Sequence, residues 1–241
     1  MKGLDVVLQG VPVSSARGAL GWSNAVLFRS RGRTILFDTG SCGDRRLLID
    51  RLAALGVAPT EIDLVFGSHF HFDHVANAEI LDCPVALSAE EWRYVEAGHY
   101  LKAEDPFVPR ALIPYLRERI ATVEDGEEVA PGVRAVLLPG HTPGTCGLLF
   151  SEERVLLTGD AVKNAWDFAR GEPPPCFHSR ETAVANYARI RAMARVVVPG
   201  HDRAFEIGGD GALRHLSSSE VVLDVYADPG AAGRQVRLIE A

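Results

Sequence analysis

Residues 68–77 read SHFHFDHVAN, and this stretch constrains the chain more than any other. Only eight histidines occur in 241 residues, yet three of them and an aspartate fall within positions 69–74. H-x-H-x-D-H at that density is improbable by chance in a chain of this composition, and imidazoles crowded beside a carboxylate point to a metal. The cluster follows residues 62–66, IDLVF, an apolar run that predicts a strand. Ligands carried on a loop at a strand end, held by a rigid scaffold, are the expected arrangement.

The rest of the chain alternates short apolar strands with amphipathic helices, punctuated by glycine and proline. Strands are predicted at 6–8, 25–28, 34–37, 62–66, 84–87, 133–138, 147–150, 155–157 and 195–198. A helix is predicted over 45–55, where Leu48, Leu52 and Leu55 share a face and Gly56 stands at the cap position. Further helices are predicted at 89–96 and after Ser179, the second with Ala183, Tyr187, Ile190 and Ala194 on one face. Residues 99–115 carry three prolines and read as a loop and helix layer beside the cluster. The end of the chain, 221–226 and 234–239 around DPGAAG, reads as a hairpin, so the whole of 1–241 is expected to be one domain closing in that hairpin at about 220–240. Strands in both halves, with helices among them, favour two mixed sheets packed face to face and flanked by helices, a four-layer α/β sandwich, over a doubly wound sheet.

Composition narrows the function classes. The net charge of −7, from 32 acidic and 25 basic residues, comes with no basic run, so no nucleic-acid partner is expected. Gln9 and Gly10 interrupt the first apolar stretch, and nowhere do 18 apolar residues run together, so neither a secretory signal nor a membrane span is expected. Cys42, Cys83, Cys146 and Cys176 form no C-x-x-C pair and suit reduced thiols in a cytoplasmic protein.

Six adjacent positions cannot supply every ligand. His141 in LPGHTPGT, His201 in VPGHDRA and Asp160 in LLTGDAV each follow an apolar strand in a glycine-flanked loop. His69 and His71, two apart in an extended segment, would address one ion together with His141. Asp73, His74 and His201 would hold a second ion, with Asp160 bridging. Mixed imidazole and carboxylate ligation suits two divalent cations, Zn(II) best, with iron or manganese as options. A water between two such ions becomes a hydroxide near neutral pH and attacks an electrophilic carbon or phosphorus, and Asp73 would orient it and carry a proton to the leaving group.

These motifs resemble those of the metallo-β-lactamase superfamily. SHFHFDH matches its H-x-H-x-D-H motif, PGHTPGT its third-ligand loop, TGD its bridging aspartate and PGHD its last histidine, in the family's order. FDTG at 37–40 resembles the strand-end motif whose aspartate, here Asp38, supports a metal-bound histidine. The resemblance implies an αββα sandwich and a binuclear hydrolase acting on a small ester, thioester or lactone. Asp160 stands where true β-lactamases of this fold usually lack a bridging aspartate, and His71 where flavodiiron proteins usually carry an acid. Alternatives within the fold are a mononuclear iron oxygenase similar to persulfide dioxygenases and a phosphodiesterase or nuclease. The tyrosine that small lactonases would use on the lactone carbonyl has one counterpart in the right interval, Tyr187, which lies on an apolar helical face.

Lys163 and Asn164, just after the bridging aspartate, and His178, after the proline-rich GEPPPCF loop, are the substrate-binding candidates. Phe70 and Phe72 are expected to pack behind the ligands, Trp22, Trp166 and Phe168 to serve the scaffold, and Cys42 to be a small buried residue.

Overall fold

The computed structural model describes residues 3–16, 18–225 and 234–240. Arg31 and Gly32, with φ of 47° and 81°, supply the two left-handed residues that a tight hairpin needs. They join Ala25–Ser30 to Arg33–Phe37 in antiparallel register. These two strands form one side of a six-stranded sheet, ordered Leu4–Leu8, Ala25–Ser30, Arg33–Phe37, Leu64–Phe66, Val85–Ser88, Ile120–Val123. From Arg33–Phe37 onward its neighbours are parallel, which requires crossovers such as the helix Arg45–Ala54.

The second sheet has seven strands, ordered Leu213–His215, Phe205–Ile207, Val196–Pro199, Val155–Gly159, Cys146–Phe150, Val133–Leu137, Glu128–Ala130. Its one parallel pair is Val155–Gly159 with Val196–Pro199, bridged by a crossover that contains the helix Arg180–Met193. Ser179 caps that helix, its Oγ accepting from the Thr182 amide.

Burial alternates along the strands and assembles three apolar layers. Val26, Phe28, Ile35, Phe37 and Phe66 face Val133, Ala135, Leu148 and Leu157 between the sheets. Leu27, Leu36 and Val65 point the other way, onto Leu48 and Leu52 of the first helix and Tyr94 and Val95 of the helix Ala89–Glu96. Val136, Leu156 and Val197 of the second sheet pack against Tyr187 and Ile190. Two sheets with helices on both outer faces make the αββα sandwich, and each fully buried aliphatic or aromatic side chain contributes about 1.5–3 kcal/mol to it.

The differences from the sequence reading are local. Residues 68–70 form a bend rather than an extended run, and Phe72–Val75 is a single helical turn. The strands Ile120–Val123, Glu128–Ala130, Phe205–Ile207 and Leu213–His215 and the helix Ala165–Arg170 lacked a long periodic run to announce them. Cys42 is exposed, because it opens a one-turn helix at the surface, and all four cysteines are free. Ser219–Val225 pairs antiparallel with Arg234–Glu240. Tyr226 and the DPGAAG connection lie outside the described residues. Among those described, no helix is long and apolar enough to cross a membrane.

Candidate metal centre

Each strand that carries a ligand candidate releases it at its carboxyl end. Leu64–Phe66 leads into His69, His71, Asp73 and His74, Val133–Leu137 into His141, Val155–Gly159 into Asp160 and Val196–Pro199 into His201. The Cys146 amide donates to the Ser68 carbonyl at 2.8 Å, which fastens the loops of the two sheets together. Three sets result, each with its nitrogen and oxygen atoms within 4.8 Å of one another: His69, His71 and His141; His69, His74 and Asp160; Asp73, His74 and His201. Asp160 stands between them. Its Oδ1 lies 3.4 Å from His74 Nε2 and 3.2 Å from His201 Nε2, and its Oδ2 lies 3.7 Å from His141 Nε2.

The partners of the outer ring nitrogens fix which nitrogen is left for the centre. His141 Nδ1 lies 2.6 Å from the Pro175 carbonyl, which can only accept, so Nδ1 carries the proton and Nε2 keeps its lone pair. His74 Nδ1 donates to Asp38 Oδ2 at 2.7 Å by the same logic. Ser68 Oγ donates to Asp38 Oδ2 at 2.8 Å, so it accepts from His69 Nδ1 at 3.0 Å. His71 is turned the other way, with Nε2 donating to Asp105 Oδ2 at 2.8 Å and Nδ1 facing inward. The bend at 68–70 therefore delivers His69 through Nε2 and His71 through Nδ1, which replaces the parallel projection expected of an extended run.

With these tautomers, His141 Nε2 and His71 Nδ1 present lone pairs to each other at 3.0 Å. His69 Nε2, His74 Nε2, His201 Nε2 and Asp160 Oδ1 are buried and make no hydrogen bond. Buried acceptors turned on one another cost several kcal/mol unless something positive sits among them, and divalent cations are what imidazole and carboxylate donors suit. The residues present therefore fit a metal pair.

Ionisation follows the same geometry. Burial, with the neighbouring His71, pushes His141 down to about 3. Burial and the three adjacent imidazoles hold His69 well below the usual histidine range. Burial also acts to lower His74, but Asp38, Asp73 and Asp160 outweigh it and raise it well above that range. Burial works against ionised Asp160, yet His201, Lys163 and His74 keep its carboxyl well below its ordinary value.

Two residues hold the ligand loops in register. Glu91, fully buried, accepts from the Phe70 amide at 2.8 Å, the Thr142 hydroxyl at 2.6 Å and the Gly144 amide at 3.2 Å, tying the His69–His71 bend to the His141 loop. Gly200 lets the His201 loop approach the bridging carboxylate, since a Cβ there would stand 2.0 Å from Asp160 Oδ1. Gly200 belongs to the PGHD motif, whereas nothing in the sequence marked Glu91 as part of the site.

Asp105 was missed too, although it lies in the proline-containing segment expected to flank the cluster. Tyr94 Oη donates to its Oδ2 at 2.9 Å and the Phe107 amide to its Oδ1 at 3.0 Å, so it is locked where it orients His71. Asp105→Asn offers one acceptor atom in place of two. It is expected to weaken zinc binding by about 10–100-fold. Competition with a chromophoric chelator measures this, and unchanged affinity would show that His71 is held without it.

A cavity of about 1060 Å³ opens over Asp73, His141, Asp160 and His201. Lys163 and Asn164 line it, Lys163 with Nζ 3.4 Å from Asp160 Oδ2 and Asn164 as the cap of Ala165–Arg170. Trp166, 62% exposed, and Phe72 also line it, so both leave the packing roles expected of them. Phe168 and Phe70 are core. His178 is not brought to this cavity. It is exposed on a separate shallow depression beside His99 and Lys102, because the chain turns at Phe177, whose amide donates to the His141 carbonyl. Tyr187 is buried against Phe168, with its hydroxyl 3.5 Å from the Glu172 carbonyl. His215, read as an ordinary polar residue, lines the cavity and lies 3.1 Å from Asp202 Oδ2.

The sequence model of the metallo-beta-lactamase superfamily matches residues 20–218. An N-acyl homoserine lactonase from a Bacillus species is 31% identical over 169 residues, 67% of this chain and 64% of the relative, so the match spans less than two thirds of that protein's length. A solved N-acyl homoserine lactone hydrolase, with N-hexanoyl-L-homoserine bound at its catalytic metal centre, superposes with a TM-score of 0.65 at 21% identity, covering 83% of this chain and 93% of that one. AidC, a dizinc quorum-quenching lactonase, gives 0.64 at 17% identity, covering 82% and 79%. At these identities the two structures are alike in fold.

Proposed function

Because this chain belongs to the metallo-β-lactamase superfamily, we propose that it is a metal-dependent hydrolase of small esters, thioesters or lactones, with lactones the favoured substrates. The observation that carries the proposal is the set of imidazole lone pairs and Asp160 oxygens converging without hydrogen-bond partners at the floor of an open cavity. His69, His71 and His141 would hold one cation, Asp73, His74 and His201 the other, and Asp160 both. Zinc suits this donor set, and the dizinc lactonase of like fold supports that choice. When bound, the cations would lower the pKa of a water and polarise the substrate carbonyl. The reading treats residues 1–241 as one domain, since both sheets contribute donors.

The chain's own groups supply the rest. Asp73 lines the cavity with Oδ2 3.3 Å from His201 Nε2, and His74 and His201 outweigh burial and hold its carboxyl below the usual range, so it stands ionised. In hydrolysis a new C–O bond forms at the carbonyl carbon, and the proton shed by the attacking water passes to Asp73. The bond to the leaving oxygen then breaks, and Asp73 returns the proton to it. Val11, Val13, Phe72, Phe107 and Trp166 give the cavity apolar walls that exclude water from an acyl substituent.

Elemental analysis of protein purified without chelators or added metal tests the reading, together with turnover of N-acyl lactones, thioesters and phosphodiesters. Two zinc ions per chain and lactone or ester turnover abolished by chelation are expected. A single iron with the second position unfilled after metal supplementation, or turnover confined to phosphodiesters, would overturn it.

A further inference from the structure

An attacked carbonyl needs a donor for the charge that develops on its oxygen. Most donors in the cavity wall are already engaged. Asn164 Nδ2 donates to Asp167 Oδ2 at 2.8 Å while its Oδ1 accepts the Asp167 amide. His215 is held between Asp202 and Arg203. Among the described residues no tyrosine lines the cavity, and the Tyr187 hydroxyl points into the fold toward Glu172.

Lys163 differs. Its side chain is 20% exposed, and among the described residues its ammonium group makes one long hydrogen bond, 3.4 Å to Asp160 Oδ2, which engages one of three N–H groups. Its backbone is pinned, since the His201 amide donates to the Lys163 carbonyl at 2.7 Å. The turn from Asp160 thus sets an ammonium group beside the Asp160 carboxylate in the wall of the cavity that His201 also lines.

We propose that Lys163 is a catalytic residue whose ammonium group donates a hydrogen bond to the substrate carbonyl oxygen and holds that oxygen as it becomes an oxyanion. The inference rests on the hydrolase reading above. As the nucleophilic oxygen bonds to carbon, the carbonyl π pair moves onto the oxygen facing Lys163. The pair returns when the leaving oxygen departs, and the lysine keeps its proton throughout. A lysine that only balanced the charge of Asp160 would instead act on metal retention.

The test compares zinc-loaded wild type, Lys163→Met and Lys163→Arg on an N-acyl lactone and a p-nitrophenyl ester, with zinc counted per chain. Affinity for a tetrahedral alkylphosphonate is measured by calorimetry. Lys163→Met is expected to lower kcat about 100-fold with KM changed by less than about threefold, Lys163→Arg to restore about tenfold of that, and zinc content to stay the same. The phosphonate should bind about 100-fold more weakly to Lys163→Met. Wild-type kcat and phosphonate affinity in Lys163→Met, or losses that track loss of zinc, would overturn the inference and leave the hydrolase reading standing. A zinc-loaded wild type that turns over neither substrate would overturn both.

Discussion

Asp160→Ala is expected to cut hydrolytic turnover by at least about 10²–10³-fold while the chain stays folded. Asp160 stands between the donor sets, with Oδ1 near His74 and His201 and Oδ2 near His141, so its loss would remove the carboxylate proposed to serve both cations. It is 2% exposed, and removing a charged side chain there also relieves the desolvation that burial imposes. Zinc per chain should fall below two, and circular dichroism should be unchanged. Two tightly held ions with undiminished turnover would show that the histidines and Asp73 suffice, and would remove Asp160 from the mechanism.

Gly144→Ala is expected to be the most damaging substitution for the scaffold. A Cβ at that position would stand 2.0 Å from the Glu91 amide nitrogen and 2.4 Å from its Cα, which are backbone atoms that no rotamer change can move aside. Ser88 Oγ donates to the Gly144 carbonyl at 2.6 Å, so the loop cannot lift away without giving up that bond and the one to Glu91. Overpacking combined with two broken buried hydrogen bonds should cost about 3 kcal/mol or more. For a chain of this size that is a fall in Tm of roughly 6–12 °C. His141 shares the loop, so zinc affinity should fall as well. A Tm within about 2 °C of wild type would mean that the His141 loop is not seated on the helix Ala89–Glu96 in solution.

Much of the fold could be read from residues alone wherever an element announces itself by period. The helix Arg45–Ala54 buries Leu48 and Leu52 and stops just before Gly56, whose φ is 69°, and Ala183, Tyr187 and Ile190 are buried as their spacing requires. Short edge strands such as Leu213–His215 gave no such signal, because three residues hold too few alternations to distinguish them from loop. The same limit explains Phe72 and Trp166. An apolar side chain beside a ligand can close the core or wall a cavity, and only the packing that brings Val11, Val13 and Phe107 to the same cavity decides which.

What the sequence determined by itself was the set of chemical groups and their attachment to strand ends. His69, His71, Asp73, His74, His141, Asp160 and His201 are the side chains whose types and glycine-flanked contexts suit a metal pair, and a parallel or mixed sheet must release them at one edge. What only the tertiary structure decided was the second layer of contacts. Asp105 reaches His71 across 34 residues, the Pro175 carbonyl reaches His141 across 34, and Glu91 reaches Thr142 across 51. Such pairings depend on how two sheets and three loops pack rather than on local pattern, because a hydrogen bond between distant segments is specified by the shape of the core that brings them together.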